Sequence, residues 1–353
     1  MNILVINPGS TSTKIAVYAD QTAVFTVNIR HEPEQLAPFA CITDQLSFRR
    51  EVILQELNTR QIAFSFDAVI GRGGLLKPLP GGVYRINERM KHDAMDPNRQ
   101  HASNLGCLLA DEIASFSPGC LALIADPVVV DELDDIARIS GLPMLPRLSI
   151  FHALNQKATA RQYAKDEDVP YETLRLIVCH LGGGISVGVH RHGRIVEVNN
   201  ALEGEGPFAP ERSGTLPAGQ LAELCFSGQY THAEIRKMLA GRGGLFAHAG
   251  STSVADLVEQ AKQGDTQTEL LLDAMVYQVA RSIGAAATVL CGQIDAILLT
   301  GGIAYSTYIM SRLEKRIRFL APIRLYPGEN EMNALASNAW GALSGEFPVR
   351  EYN

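Results

Sequence analysis

Residues 2–6 of the chain are an almost uninterrupted apolar run, and two more such runs, Thr13 to Tyr18 and Ala23 to Ile29, follow after turn-forming residues. The pattern predicts three short strands in a meander. Leu46, Ile53, Leu57 and Ile62 recur at helical spacing, which predicts a helix over 45–62. Ala68-Val69-Ile70 then reads as a buried strand that ends in Gly71-Arg72-Gly73-Gly74. A helix over 101–116 and a strand Leu121 to Ala125 complete a first unit.

The same order returns in the second half. Leu176 to Cys179 runs into the turn Gly182-Gly183-Gly184, and Ile185 to His190 and Arg194 to Val198 follow as the second and third strands. A helix over 268–291, a strand Ala296 to Thr300 ending in Gly301-Gly302, a helix over 305–319, a strand Ile323 to Tyr326 and a last helix over 331–345 close the chain. Two meander-plus-βα units predict a duplicated α/β architecture with mixed sheets and a nucleotide cleft between the halves. The length of 353 residues suits two domains. The boundary is expected near Ser149, so that residues 1–148 form the first domain and 149–330 the second.

Composition narrows the function classes. A formal charge of −7 argues against a nucleic-acid groove, because affinity for a phosphate backbone comes from clustered Lys and Arg. The run Arg312, Lys315, Arg316, Arg318 reads as a solvated helix face. The six cysteines lack CxxC or zinc-type spacing. Nothing in the first residues resembles a signal peptide, and no apolar run is long enough for a membrane span. A cytoplasmic protein is expected, with no membrane partner.

Three glycine turns carry the candidate chemistry. In Asn7-Pro8-Gly9-Ser10-Thr11-Ser12-Thr13-Lys14, Gly9 lets the backbone approach an anion, and Ser10, Ser12 and Lys14 offer donors to phosphoryl oxygens. His180-Leu181-Gly182-Gly183-Gly184 holds the same place in the second meander, and Gly301-Gly302 follows a strand at its carboxyl end, where α/β sheets bind ligands. No GxxxxGK[ST] loop occurs, and no glycine turn fits a dinucleotide fingerprint, so an NAD-dependent oxidoreductase is disfavoured. A bland polar hairpin is the alternative for the first turn.

These segments, with Ile70 to Pro78, Asp126-Pro127-Val128-Val129-Val130-Asp131-Glu132, Phe151-His152-Ala153-Leu154-Asn155-Gln156-Lys157 and Pro210-Glu211-Arg212-Ser213-Gly214, resemble the butyrate kinases of the acetate kinase family, within the sugar kinase, Hsp70 and actin superfamily. The match runs from Asn2 to about Gly341. Pro8 and Thr11, where acetate kinases carry Ala and Ser, favour the butyrate branch. The resemblance implies two ribonuclease H-like (actin-like ATPase) domains, with residues 331–353 returning to the first. It also implies Mg2+ with ATP or ADP, a short-chain carboxylic acid and its acyl phosphate as substrates, and a homodimer or higher homo-oligomer.

Transfer to a carboxylate needs no general base, because the acid is already ionised at neutral pH. The obstacle is repulsion between two anions, so fixed cations and donors are required. Arg72, in a glycine turn at a strand end, and Arg212, within Pro210-Glu211-Arg212-Ser213-Gly214, are the candidates for that work. By resemblance, His152 and His180 donate to the phosphoryl group, Asp126 positions the metal or the arginine, and Glu331 with Asn7 holds Mg2+, Glu329 being the fallback. Leu75 and Phe151 are candidates for the acyl pocket. The remaining histidines receive no role. Acetate, propionate or branched-chain acids are alternative substrates, and a non-kinase actin-like ATPase module is the distant alternative.

Overall fold

The structure is a computed structural model and describes residues 1–97, 99 and 101–353. Among the described residues twelve strands are formed: β1 (Asn2–Pro8), β2 (Ser12–Ala19), β3 (Thr22–Arg30), β4 (Ala68–Arg72), β5 (Val83–Arg85), β6 (Leu121–Ala125), β7 (Arg175–Leu181), β8 (Ile185–Arg191), β9 (Arg194–Val198), β10 (Ala296–Gly301), β11 (Ile323–Pro327) and β12 (Val349–Glu351). The chain divides into two compact units, Met1–Val130 with Asn330–Asn353, and Asp131–Glu329.

The sheet of the first unit has the order β12-β5-β6-β4-β1-β2-β3, and that of the second β11-β10-β7-β8-β9. Within the first, β6-β4-β1-β2-β3 repeats the order of the second strand for strand. In both, the meander is antiparallel and the two later strands run parallel to its first. The expected duplication is therefore present in the sheets, which are mixed.

Strand β7 shows why the central strands read as solid apolar runs. Ile177, Cys179 and Leu181 belong to a core formed with the helix Thr266–Val289, through Leu272, Met275, Val279 and Ile283, while Leu176 and Val178 pack on the opposite face with Ala160 and Tyr163 of the helix Ala153–Asp166. Alternate side chains point to opposite faces, and both faces are covered. In the first unit, Leu4, Ile6, Ile15 and Val69 meet Leu105, Leu109 and Ile113 of the helix Asn104–Ala114. The helix Glu331–Ser344 packs on β1, β4 and β6.

Three of the differences from the sequence pattern bear on the architecture. Strands β5 and β12 are three residues long and pair in parallel across more than 260 residues of sequence, too short and too distant to leave a periodic signal. Between β9 and the helix Thr266–Val289, four short helices stand where no element was expected: Ala218–Phe226, His232–Leu239, Leu245–Ala249 and Val254–Lys262. Residues 131–148 join the second unit, not the first. Asp134 N donates to Val196 O, Arg147 pairs with Glu197 and Glu205, Arg191 pairs with Asp134, and a buried Lys157–Glu132 ion pair closes at 3.0 Å. No helix among the described residues is long and apolar enough to cross a membrane.

Candidate active site

In the first unit, the hairpin between β1 and β2 closes through Gly9 N donating to Ser12 O at 2.8 Å. The fully buried Arg49 fills the inside of this turn. Its Nη1 donates to Gly9 O and Ser12 O at 2.8 and 2.9 Å and to Thr13 Oγ1 at 3.1 Å, and its Nη2 donates to Ser10 O at 3.0 Å. Gln45 Oε1 accepts from Nε and Nη2. With its carbonyls turned inward onto a guanidinium, the loop has Ser10 and Lys14 exposed and Ser12 half-buried. Burial pushes Arg49 down to about 10. It remains a cation at neutral pH.

Asn7, Arg72 and Glu331 meet at the ends of β1, β4 and the last helix. Arg72 grips the Glu331 carboxylate with both terminal nitrogens, Nη1 to Oε2 and Nη2 to Oε1, each at 2.9 Å, and Asn7 Nδ2 donates to Oε2 at 2.7 Å. This fork-on-fork pairing is the strongest geometry available to an arginine. Asp126 is buried after β6 with a positive φ of 39°, and its Oδ1 accepts from Gly82 N at 2.7 Å. A non-glycine residue held in that region is a mark of constraint. Leu75 is half-buried, its N–H donating to Asn104 Oδ1.

In the second unit, the turn Gly182-Gly183-Gly184 is the floor on which the predicted residues gather. A Cβ on Gly182 would lie 2.7 Å from His180 Nε2 and 3.5 Å from Glu329 Oε1, one on Gly183 would lie 2.4 Å from Glu211 Oε1, and one on Gly184 would lie 3.5 Å from His152 Cε1. At 182 and 183 a side chain would push these groups aside, whereas at 184 the contact is an ordinary one. The rings of His152 and His180 stack at 3.8 Å with 14° between planes. Phe151, next to His152, is buried. Arg212 differs from Arg72. Its Nη1 reaches only the neighbouring Glu211, at 3.2 Å to the carbonyl and 3.5 Å to the carboxylate, and its Nε is buried with no hydrogen-bond acceptor among the described residues. Buried donors are nearly always satisfied, so an exception points to a ligand.

Gly301 and Gly302 lie at the same end of this sheet. Gly301 has φ +89°, and a Cβ there would sit 2.3 Å from Leu181 O, so strand β10 can end against the His180 strand only with glycine. Asn155 ties the region together, donating from Nδ2 to Glu329 O at 2.9 Å and accepting at Oδ1 from His180 Nδ1 at 2.7 Å.

Residues 147–337 match the model of the acetokinase family. The chain is 60% identical to a probable butyrate kinase of Bacteroides thetaiotaomicron over the whole of both chains, and 50% identical to butyrate kinase 2 of Clostridium acetobutylicum over 99% of each. The chain belongs to the acetokinase family. The crystal structure of Porphyromonas gingivalis acetate kinase shares its fold, with a TM-score of 0.78 at 18% identity over 97% of this chain and 99% of that one.

As an acetokinase-family enzyme the chain is a phosphotransferase with a carboxyl group as acceptor, which sets aside the non-kinase alternative. The residues expected at the site form two groups, one per unit: Asn7, Arg72 and Glu331 in the first, His152, His180, Arg212 and the glycine turn in the second. Glu331 sits with Arg72 and Asn7, whereas Glu329 faces His180 Nε2 at 3.8 Å. Among the described residues no cluster of three or more His, Cys, Asp or Glu side chains is placed to hold a metal. A single carboxylate beside an amide suits a magnesium ion bound mainly by phosphate oxygens and water. Arg49, Asn155 and Glu211 were given no role from the sequence. Asn155 and Glu211 lie inside segments that carry the resemblance, and Arg49 is a lone cation on the stripe Leu46, Ile53, Leu57.

Proposed function

We propose that this acetokinase-family enzyme catalyses ATP + butyrate = ADP + butyryl phosphate, reversibly and by direct in-line transfer, with magnesium accompanying the nucleotide. A butyrate carboxylate oxygen attacks the γ-phosphorus, and the new O–P bond forms as the bond to the bridging oxygen breaks. The electron pair leaves on the β-phosphate of ADP, and no proton has to move. The observation that carries this reading is the set of donors converging on the Gly182–Gly184 turn: two stacked histidines and an arginine whose Nε has no acceptor of its own. Such donors are what a phosphoryl group spreading charge over its equatorial oxygens requires.

The roles divide by chemistry. Arg212 binds the transferring phosphoryl group, and Arg72 supplies a second cation for carboxylate or phosphate oxygens. His152 and His180 donate to equatorial oxygens. Backbone N–H groups of the glycine turns and the side chains of Ser10, Ser12 and Lys14 hold the nucleotide phosphates. Glu331 and Asn7 would hold Mg2+ through its coordinated water, and the ion supplies neutralisation of phosphate charge. Asp126 fixes the backbone beside Arg72, and Leu75 and Phe151 line the acyl pocket. Butyrate as acceptor is supported by the full-length relatives named for it. A cytoplasmic location and a dimer-based assembly complete the proposal.

Coupled measurement of ADP formation with acetate, propionate, butyrate and isobutyrate tests it. The highest kcat/KM is expected for butyrate. A preference for one of the others would replace the acceptor, and no ADP with any of them would end the kinase reading. Sedimentation velocity is expected to give a dimer or a multiple of one.

A further inference from the structure

His152 is held from behind by a chain of buried polar side chains that the transfer reaction does not itself employ. Ser186 Oγ lies 2.9 Å from His152 Nδ1. Gln156 Nε2 donates to that Oγ at 2.8 Å and to the Ser186 carbonyl at 3.2 Å. Gln156 Oε1 lies 3.1 Å from His190 Nε2, and Tyr171 Oη lies 2.8 Å from His190 Nδ1. Gln156, Ser186 and His190 are all fully buried. Strand β8 makes room for the amide, since a Cβ on Gly188 would lie 2.2 Å from Gln156 Oε1.

The proton positions follow from the one group in this chain that can only accept. A backbone carbonyl has no proton to give, so the Gln156 atom facing Ser186 O is the amide nitrogen. Oε1 therefore faces His190, whose Nε2 carries a proton. Burial, with Lys157 and Arg161 nearby, pushes His190 well below the usual histidine range, so its ring is neutral and Tyr171 donates to the bare Nδ1. At the other end, a Gln156 amide proton occupies one lone pair of Ser186 Oγ. Among the described residues Ser186 Oγ has no partner besides Gln156 Nε2 and His152 Nδ1, so the proton of that hydroxyl points to His152 Nδ1.

We propose that Tyr171, His190, Gln156 and Ser186 are positioning residues that hold His152 as the neutral Nε2–H tautomer, so that it meets the transferring phosphoryl group as a ready donor. What the donor serves rests on the kinase reading, whereas the tautomer rests on hydrogen bonds alone. His180 is set the opposite way. Asn155 Nδ2 faces the Glu329 carbonyl, which turns Oδ1 toward His180 and places that ring's proton on Nδ1. With Nδ1–H engaged by Asn155, His180 can donate from Nε2 only as the imidazolium, and a neutral His152 avoids two imidazolium charges face to face.

The test is imidazole 15N NMR on the full-length protein, with the His152 signals assigned by their loss in His152→Ala. A pyridine-type Nδ1 and a pyrrole-type Nε2 are expected in the wild type. Ser186→Ala and Gln156→Met are expected to mix the tautomers and to lower kcat about 10- to 100-fold with KM changed less than about twofold. Ser186→Thr, which keeps the hydroxyl, is expected to restore the tautomer. A protonated Nδ1 in the wild type overturns the proposal whatever the Ser186 and Gln156 variants do. So does a Ser186→Ala enzyme with wild-type tautomer and kcat. An inactive wild type that shows the expected tautomer counts against the kinase reading and supports the relay.

Discussion

Arg72 and Arg212 look alike in the sequence, each a cation in a segment that contains glycine, but their partners make them different tools. Arg72 is clamped by Glu331 through two hydrogen bonds, whereas Arg212 has a buried Nε without an acceptor among the described residues. Arg212→Lys removes the planar donor set that can grip phosphoryl oxygens, so kcat is expected to fall by about 10²- to 10³-fold. The same change removes an unsatisfied buried donor, so the melting temperature should hold or rise. A variant that keeps its turnover would exclude Arg212 from the reaction. Arg72→Lys breaks a partly buried bidentate pair instead, and after allowance for solvent screening a loss of about 1–2 kcal/mol in stability is expected, read from urea unfolding. Arg72 was legible as a candidate from the glycine on either side of it, and Arg212 from the segment Pro210-Glu211-Arg212-Ser213-Gly214. The pairing of Arg72 with Glu331 was not, because its partners lie 259 residues apart.

At the scale of the element, the hairpin Asn7 to Lys14 shows what sequence patterning leaves out. Its hydroxyls and glycine were readable as an anion-binding turn, but the loop is shaped by Arg49 from the helix Leu46–Thr59, which gathers the carbonyls of Gly9, Ser10 and Ser12. A helical stripe is read for its apolar members, and a charged residue on it is discounted as solvated. Arg49→Met keeps most of the volume and removes every donor, leaving three loop carbonyls and Thr13 without their partner. Stability is expected to fall by about 2–4 kcal/mol, and KM for ATP to rise on the order of tenfold as the loop loses its form. Urea unfolding and steady-state kinetics on the same preparation measure both. An unchanged KM beside lowered stability would make Arg49 a structural residue only.

At the scale of the molecule, the repeated order of five strands was legible because each central strand is covered on both faces and so reads as one apolar run. The boundary was not, because residues 131–148 join the second unit by ion pairs and single backbone hydrogen bonds that have no period. The same scale governs the response to acid. His31 in the first unit is buried, has Nε2 2.8 Å from Thr13 Oγ1, and is pushed down to about 4 by burial and by the neighbouring Arg49. His190 in the second unit is lowered for similar reasons. A histidine neutral when folded binds fewer protons than it does unfolded, so its contribution is complete above about 6.5 and is lost as pH falls from there toward 4. For His31 the span corresponds to a loss on the order of 3 kcal/mol. Carboxylates held low, such as Asp93, act only further into acid, as pH falls toward and through their folded values. The net charge of −7 shrinks over the same window and relieves repulsion, an effect that the wild type shares with its variants. The urea midpoint of the wild type is therefore expected to drop between pH 7 and pH 5, and His31→Gln, which keeps an acceptor for Thr13, should drop less. Equal slopes for the two proteins would mean that His31 is already neutral in the unfolded chain or charged in the folded one, and that the acid response has another source.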